Sequence, residues 1–211
     1  MGHCLTVLGM RALRLVSGVL LFALGLQCLA LSAGADPSSA QWLALRKCES
    51  SDNYSVVSAN GLYYGAYQFN VSTWQSVGGF GLPTQASHAD QDYRALYLYR
   101  MRGWQPWTCA GKLRLPADAD AASRVVPRLP ANVAPTWPGT TYAYADCAPA
   151  LRTFQLRMNA FGFNFQGTGC YYDKTKTAVQ ALQAANGLTP DGLIGPDTWR
   201  AAWEGKPPKQ P

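Results

Sequence analysis

The sequence predicts a mostly helical α+β protein made of two small folded parts. Residues 36–110 and 147–205 carry apolar side chains at helical spacing behind capping residues. A turn-rich aromatic stretch at 60–69 indicates a small β element in the first part. Between the two parts, residues 111–146 hold five prolines among alanines, which is typical of an extended, semi-stiff linker. Residues 206–211 form a short Pro/Lys tail.

Residues 1–35 have the pattern of a secretory signal peptide. Arg11 and Arg14 precede an uncharged apolar run, 15–31, and Ala33-Gly34-Ala35 reads as a cleavage site. An uncleaved membrane anchor is the alternative, and both interpretations predict export. Cleavage would remove two of the 18 basic residues and none of the 12 acidic ones, which leaves a net charge of +4. This diffuse excess of positive charge suits an anionic surface and does not indicate nucleic-acid binding. Once the signal peptide is cleaved, we expect no stable association with the membrane.

Four cysteines follow the predicted signal, two in each half of the chain: Cys48, Cys109, Cys147 and Cys170. Three pairings are possible, and an exported protein can keep these residues oxidised. Pairing Cys48 with Cys109 and Cys147 with Cys170 keeps each bond within one half. A zinc site is disfavoured because there is no C-x-x-C pair and His88 is the only histidine after residue 35. We expect no metal and no cofactor.

Capping residues set the expected helices of the first part. Ser38 or Ser39 can cap a helix that carries Trp42 and Leu45 and ends in the polar cluster 50–53. Asn60-Gly61 predicts a turn, followed by a short hairpin at 62–69. A brief helix is expected at 72–77. A longer helix should be capped by Ser87, run through Arg102 and end at Gly103.

The second part contains a short internal repeat. Residues 169–175 and 192–198 share glycine, an acidic residue and threonine, and each segment leads into a helix. A repeated unit of a loop and a helix predicts two similar halves packed on one core. The alternative is two ordinary capped helices that are alike by chance.

Only two glutamates occur in the chain, Glu49 and Glu204. Glu204 lies at the polar end of the last helix and is expected to be solvated. Glu49 lies near the C-terminus of the first helix among tryptophans and tyrosines. The helix terminus and desolvation both disfavour its charged form, so its pKa is expected to rise towards the range of a general acid. The alternative is a surface glutamate that happens to end a helix.

Glycosidic hydrolysis usually needs a second carboxylate, and none stands out in residues 36–110. Helix caps or turns explain Asp52, Asp90 and Asp92. One acid suffices for a lytic transglycosylase, because a hydroxyl of the substrate replaces water. Polar side chains that could hold an N-acetyl group are Tyr63, Gln68, Thr73 and Gln91, although such residues are more often structural than functional. A serine or cysteine hydrolase is disfavoured, since there is no G-x-S-x-G motif.

The order of aromatic, glycine and cysteine residues from Trp42 to Cys109 resembles the catalytic domain of resuscitation-promoting factors. The similarity covers about 70 residues and includes Cys48-Glu49-Ser50, Asn60-Gly61, Tyr63-Tyr64-Gly65-Ala66-Tyr67-Gln68-Phe69, Thr73-Trp74, Gln91, Gly103-Trp104 and Trp107. The resemblance implies a lysozyme-like fold, a disulfide between Cys48 and Cys109, and Glu49 as the catalytic acid.

The same resemblance implies where substrate should bind. The groove tyrosine, threonine and glutamine of the family fall on Tyr63, Thr73 and Gln91. Further groove candidates are Gln68, Asn70 and Trp74. Leu62 looks like a one-residue insertion, so the tyrosine could instead be Tyr64. Asn70 stands where the family has aspartate, and an amide can bind sugar but cannot take up a proton.

Residues 147–205 resemble a three-helix peptidoglycan-binding domain. The pattern includes Thr177-Ala178-Val179, Leu182-Gln183, Asn186-Gly187-Leu188, Asp191-Gly192 and Thr198-Trp199. The first loop departs from it at Cys170-Tyr171-Tyr172, where the family tends to have glycine and phenylalanine.

The sequence therefore predicts a secreted or wall-associated enzyme that cleaves peptidoglycan glycan strands, either as a lytic transglycosylase or as a muramidase. The resemblance also implies a role in growth resumption. The alternative hypothesis is a non-catalytic wall-binding or signalling protein with a degenerate lysozyme fold. This hypothesis is suggested by Asn70, which stands where the family has aspartate. Peptidoglycan is the one expected partner, and the sequence gives no indication of protein partners.

Overall fold

A computed structural model describes residues 36–209 of the chain, so the predicted signal peptide lies outside the described residues. Residues 36–209 form seven α-helices and two short 3-10 helices, Pro83–Gln85 and Asn159–Phe161. The α-helices are α1 (Ser39–Ser50), α2 (Val71–Ser76), α3 (His88–Arg102), α4 (Thr108–Lys112), α5 (Pro149–Met158), α6 (Asp173–Ala185) and α7 (Pro196–Glu204). The fold is mostly helical, as predicted. None of the helices between residues 36 and 209 is long and apolar enough to cross a bilayer.

Helix α1 begins and ends where its capping residues predict. The Ser38 hydroxyl accepts from the Gln41 N–H (3.3 Å), and the Gln41 side chain accepts from the Ser38 N–H (2.9 Å), which forms a capping box. After Ser50 the chain turns through Ser51 (φ 57°) and Asp52 (φ 62°) in the left-handed region. The helix therefore stops directly after Glu49 and Ser50.

The first core is built around aromatic rings. Trp42 of α1 makes edge-on contacts with Tyr67, Tyr99, Trp104 and Trp107 at centroid distances of 5.0–6.0 Å. Such edge-to-face pairs add to the stability gained from burial. They fix α1 against α3 and against the loop that leads into α4.

The predicted hairpin forms only isolated antiparallel bridges, between Val57 and Tyr64 and between Tyr64 and Phe69. The turn between Tyr64 and Phe69 starts at Gly65 (φ 74°), where a Cβ atom would lie 2.2 Å from Oε1 of Gln91. Only glycine fits this close approach. The turn, residues 64–69, is thereby held against α3.

Helix α3 confirms both of its predicted ends. The Ser87 hydroxyl accepts from the Asp90 N–H (3.1 Å), and Gly103 ends the helix with φ 60°. The brief predicted helix at 72–77 is α2, which begins one residue earlier, after Asn70.

Three helices, α5, α6 and α7, pack around a second core. The two repeated loops of this half, residues 169–175 and 192–198, are held by equivalent contacts, which confirms the internal repeat. Gln155 accepts from the Gly169 N–H (2.9 Å) and donates to the Thr175 hydroxyl (3.0 Å). Gln183 accepts from the Gly192 N–H (3.0 Å) and donates to the Thr198 hydroxyl (3.1 Å). The identical use of a buried glutamine shows two copies of one structural unit.

Both within-half disulfides are formed, Cys48–Cys109 and Cys147–Cys170.

Residues 113–148 contain no helix, and their backbone carbonyls bind both halves of the protein. The Tyr93 hydroxyl donates to Pro127 O (3.1 Å), and Arg94 donates to Ala134 O (3.0 Å). From the second half, Trp199 Nε1 donates to Pro135 O (2.9 Å). The segment is thus packed between the two cores.

The expectation that Glu204 is solvated is wrong. Its two carboxylate oxygens accept from the Ser87 N–H (3.0 Å) and the Ala134 N–H (3.1 Å). One turn earlier, Arg200 donates to Phe80 O (2.9 Å), and its guanidinium lies 4.6 Å from the centre of the Phe80 ring. Helix α7 therefore binds the first half of the protein through Arg200 and Glu204.

Candidate active site

Glu49 is the next-to-last residue of α1 and is half-buried. Its Oε1 accepts a hydrogen bond from the Cys109 N–H (3.2 Å). The preceding residue, Cys48, is joined to Cys109 by a disulfide. The carboxyl group is thus held at the junction of α1 and α4 by a covalent link and a hydrogen bond.

Burial raises the pKa of Glu49 above its usual value. The hydrogen bond from Cys109 and the positive charge of Lys112 act in the opposite direction and lower the pKa, but desolvation is the larger effect. The carboxyl group therefore keeps its proton to a higher pH than an exposed glutamate would. This is the state from which a general acid donates.

The other carboxylates of residues 36–110 are all bound by cations. The ion pairs are Asp36–Arg100 (2.8 Å), Asp52–Arg46 (2.6 Å), Asp90–Arg94 (2.8 Å) and Asp92–Arg46 (3.7 Å). Asp92 also accepts from the hydroxyls of Tyr54 and Tyr67. Among the described residues, Glu49 takes part in no ion pair. It is the carboxyl group of residues 36–110 that no arginine or lysine binds within the described part of the chain.

The turn at residues 64–69 is tied to the end of α1 beside Glu49. The Ser50 hydroxyl donates to Ala66 O (2.9 Å). Gln68 lies in this turn and donates to Gly65 O (3.0 Å). Tyr63 precedes the turn with 41% of its surface exposed, whereas the Tyr64 hydroxyl donates to Gly61 O (2.7 Å). Of the two tyrosines, Tyr63 is the one with an exposed ring and no hydroxyl bond within residues 36–209.

Helix α2 follows this turn directly, and Asn70 is its N-cap. The Asn70 side-chain oxygen accepts from the Thr73 N–H (2.8 Å) and the Ser72 hydroxyl (2.9 Å). An aspartate could make the same cap. Thr73 is half-buried in the first turn of this helix. The structure therefore gives Asn70 a local structural role.

Gln91 and Trp74 do not suit the groove positions expected for them. Both side chains are completely buried. Gln91 accepts from the Ala66 N–H (3.0 Å) and donates to Tyr54 O (3.0 Å), so its amide is fully used by the backbone. Trp74 Nε1 donates to Phe80 O (3.3 Å). Because no atom of either side chain is left to meet a ligand, we assign both to the core.

Gln105 is a further polar candidate, which the sequence pattern did not single out. This residue is exposed in the loop between Trp104 and Trp107, which leads into α4 and so to the Cys109 N–H. Its side chain makes no hydrogen bond within the described part of the chain. A polar residue placed between two tryptophans was the available signal. No group of three metal-ligating side chains occurs within residues 36–209.

Comparison with known proteins identifies the class of each half. Residues 36–110 match the family model "Transglycosylase-like domain", and residues 148–202 match "Putative peptidoglycan binding domain". The chain therefore combines a small lysozyme-like domain with a helical peptidoglycan-binding domain.

Three relatives share the name resuscitation-promoting factor. A resuscitation-promoting factor of Micrococcus luteus is 48% identical over 82 residues, which cover 38% of this chain and 36% of the relative. One of Corynebacterium glutamicum is 32% identical over 129 residues, which cover 58% of this chain and 66% of the relative. One of Mycobacterium tuberculosis, RpfC, is 32% identical over 103 residues, which cover 48% of this chain and 71% of the relative.

The chain belongs to the resuscitation-promoting factor family, as its sequence pattern predicted. It spans 36% of the length of the Micrococcus relative and 66% of that of the Corynebacterium relative.

Proposed function

We propose that this chain is a secreted enzyme that cleaves the glycan strands of peptidoglycan, with Glu49 as the proton donor. The observation that carries the proposal is the environment of this one carboxyl group. Glu49 is half-buried, its pKa is raised by burial, and it is the carboxyl group of the transglycosylase-like domain that forms no ion pair within the described residues.

The reaction follows from a single acid that changes its role. The protonated Glu49 carboxyl donates its proton to the bridging glycosidic oxygen, and the bond from that oxygen to the anomeric carbon breaks. The carboxylate then takes a proton from the hydroxyl group that attacks the anomeric carbon. If the attacker is a hydroxyl of the substrate, the product is an anhydro sugar; if it is water, the product is a reducing sugar. Because the aspartates of this domain are all paired with arginines, we favour the substrate hydroxyl.

Substrate would bind along polar groups of the segment that is tied to the end of α1. Tyr63 precedes the turn at 64–69, Gln68 lies in it, and Thr73 lies in α2, while the Asn70 side-chain nitrogen makes no bond within residues 36–209. Gln105 is exposed in the loop before α4. Together these residues offer amide and hydroxyl groups to an N-acetylated sugar.

Export, attachment to the cell wall and a role in growth resumption complete the proposed function. The pattern of residues 1–35 supports export, and two disulfides are typical of proteins in oxidising compartments. The peptidoglycan-binding domain would keep the enzyme on its substrate and raise the local substrate concentration. The relatives are named resuscitation-promoting factors, which supports a role in growth resumption.

The test compares two substitutions that each remove one carboxylate from the same region. Glu49→Gln keeps the shape and loses the transferable proton, so we expect cleavage of purified peptidoglycan to fall by about a thousandfold. Asp52→Asn removes a partly exposed ion pair and should leave activity within about tenfold. Unchanged cleavage by the Glu49→Gln protein would refute the assignment.

The alternative function, a non-catalytic wall-binding or signalling protein, is separated by the same assay. Asn70 favours this alternative because the resemblance places aspartate there. In the structure, however, the Asn70 amide caps α2 as an aspartate would. Wild-type protein that binds peptidoglycan but releases no saccharide would establish the alternative.

A further inference from the structure

Two tyrosines are exposed side by side, Tyr172 in the peptidoglycan-binding half and Tyr144 just before it, at the end of the linker. Tyr144 and Tyr172 have 51% and 53% of their surfaces exposed, and their rings meet edge-on with centroids 5.9 Å apart. Most other aromatic rings of this half lie in or against its core. A paired exposed aromatic surface on a small domain is commonly a binding site.

The backbone around this pair is held rigidly. The Cys147–Cys170 disulfide joins the two segments that carry the tyrosines. Between these segments the Ala145 N–H donates to Tyr171 O (2.8 Å), and the Tyr171 N–H donates to Asp146 O (2.8 Å). Because neighbouring residues of an extended segment point in opposite directions, Tyr171 is fully buried while Tyr172 faces outward. The aromatic surface is therefore preorganised.

A cavity of about 210 Å³ adjoins Tyr172 and is rimmed by polar side chains. Its exposed members are Asn164, Gln166, Thr168 and Lys174. Lys174 also lies 5.1 Å from the centre of the Phe165 ring, which is part of the cavity wall. An apolar surface beside a few hydrogen-bonding groups is the composition that small-molecule sites share.

The second copy of the repeat lacks this arrangement. Gly195 stands at the position equivalent to Tyr172, and the corresponding cavity, of about 310 Å³, is lined by Asp191 and Asp197. The loop glutamine and threonine are the same in both copies, so the framework does not require a tyrosine. The tyrosine pair is thus an addition to the framework and not a part of it.

We propose that Tyr144, Tyr172 and the adjoining cavity bind an N-acetylated sugar ring of the glycan strand. This inference rests on the proposed function, because it assigns the wall-binding half its contact with the same polymer. The apolar face of a pyranose ring would lie on the tyrosines, and its N-acetyl and hydroxyl groups would meet Asn164, Gln166 and Thr168. The rims differ in charge, because the aromatic cavity carries Lys174 and the cavity of the second copy carries Asp191 and Asp197.

The experiment measures pelleting of the full chain with insoluble peptidoglycan, and titration with a soluble N-acetylglucosamine tetramer. The double substitution Tyr144→Ala and Tyr172→Ala should weaken both by about tenfold or more, since a truncated central aromatic contact typically has such an effect. Tyr172→Trp should retain binding because it keeps a flat ring. Leu193→Ala is the matched control, as Leu193 is 40% exposed in the equivalent loop and should leave binding unchanged.

Glycan cleavage distinguishes failure of this inference from failure of the proposed function. The double variant should still cleave soluble glycan like wild type, whereas Glu49→Gln should bind the wall and not cleave. Equal binding by the double variant and wild type would overturn the tyrosine site and leave the proposed function intact. Wild-type protein that neither binds the wall nor cleaves it would overturn both. Matching circular dichroism spectra and melting curves establish that the variants are folded.

Discussion

A carboxyl group that donates a proton near neutral pH needs surroundings that disfavour its charge. At Glu49 those surroundings are the packed end of α1 and the disulfide-linked start of α4. Two effects lower the pKa of Glu49 and so oppose burial: the hydrogen bond from the Cys109 N–H and the positive charge of Lys112. Burial is the largest of these effects, so the pKa of Glu49 is raised, and one of the opposing effects can be removed by substitution.

Lys112→Ala tests this balance. Lysine charge lowers the pKa of Glu49, so its loss should raise that pKa further. Since the donor must be protonated, the alkaline limb of the kcat/KM profile should move to higher pH. Arg114→Ala, two residues further along, serves as the control and should leave the limb in place. A limb that stays in place or moves to lower pH in Lys112→Ala would contradict the assigned role of Glu49.

The sequence predicted the roles of some site residues better than those of others. Glu49 stood out because it is one of two glutamates and follows a cysteine within an aromatic region. Gln91 was expected in the groove but lies in the core, where Gly65 lets the backbone reach its amide. A sequence does not show whether a glutamine meets a ligand or a buried backbone, because both need the same donor and acceptor.

At the scale of elements, caps were the dependable signal. Ser38, Ser87 and Gly103 set the ends of α1 and α3 as expected, since each satisfies backbone groups that the helix leaves unpaired. The hairpin prediction was less complete, because the aromatic stretch forms isolated bridges around a turn. Its residues pack against α1 and α3 instead of pairing along a sheet.

Asn70→Ala should destabilise the protein by about 1 kcal/mol, because α2 loses the acceptor for its Thr73 N–H. Asn70→Asp is the matched control and should be as stable as wild type, since an aspartate caps equally well. Urea unfolding followed by circular dichroism gives the free energy of unfolding of each variant. Equal losses in both variants would show that the cap is not what Asn70 contributes.

At the scale of the whole molecule, the two cores are joined by polar contacts that composition does not reveal. The prolines of 111–146 predict an extended spacer, but not that its carbonyls accept bonds from Tyr93 and Trp199. Nor does the sequence show that Glu204 would accept from two backbone N–H groups 117 and 70 residues away. These contacts depend on which surfaces meet after each half has folded.

Glu204→Ala should loosen this junction, because the Ser87 and Ala134 N–H groups lose their acceptor. We expect a loss of about 1–3 kcal/mol in the free energy of unfolding and faster proteolysis within 111–146. Asp197→Asn, an exposed acid on the same helix, should match wild type. Proteolysis of Glu204→Ala at the wild-type rate would show that Glu204 does not hold the halves together.

The most direct test of the central claim is the mass of the products released from purified peptidoglycan. The full chain is incubated with insoluble peptidoglycan, and the soluble fraction is analysed by mass spectrometry. The proton-donor role of Glu49 predicts fragments with new anhydro or reducing sugar ends from wild type and none from Glu49→Gln. Intact glycan ends after wild-type digestion, or the same fragments from Glu49→Gln, would contradict it.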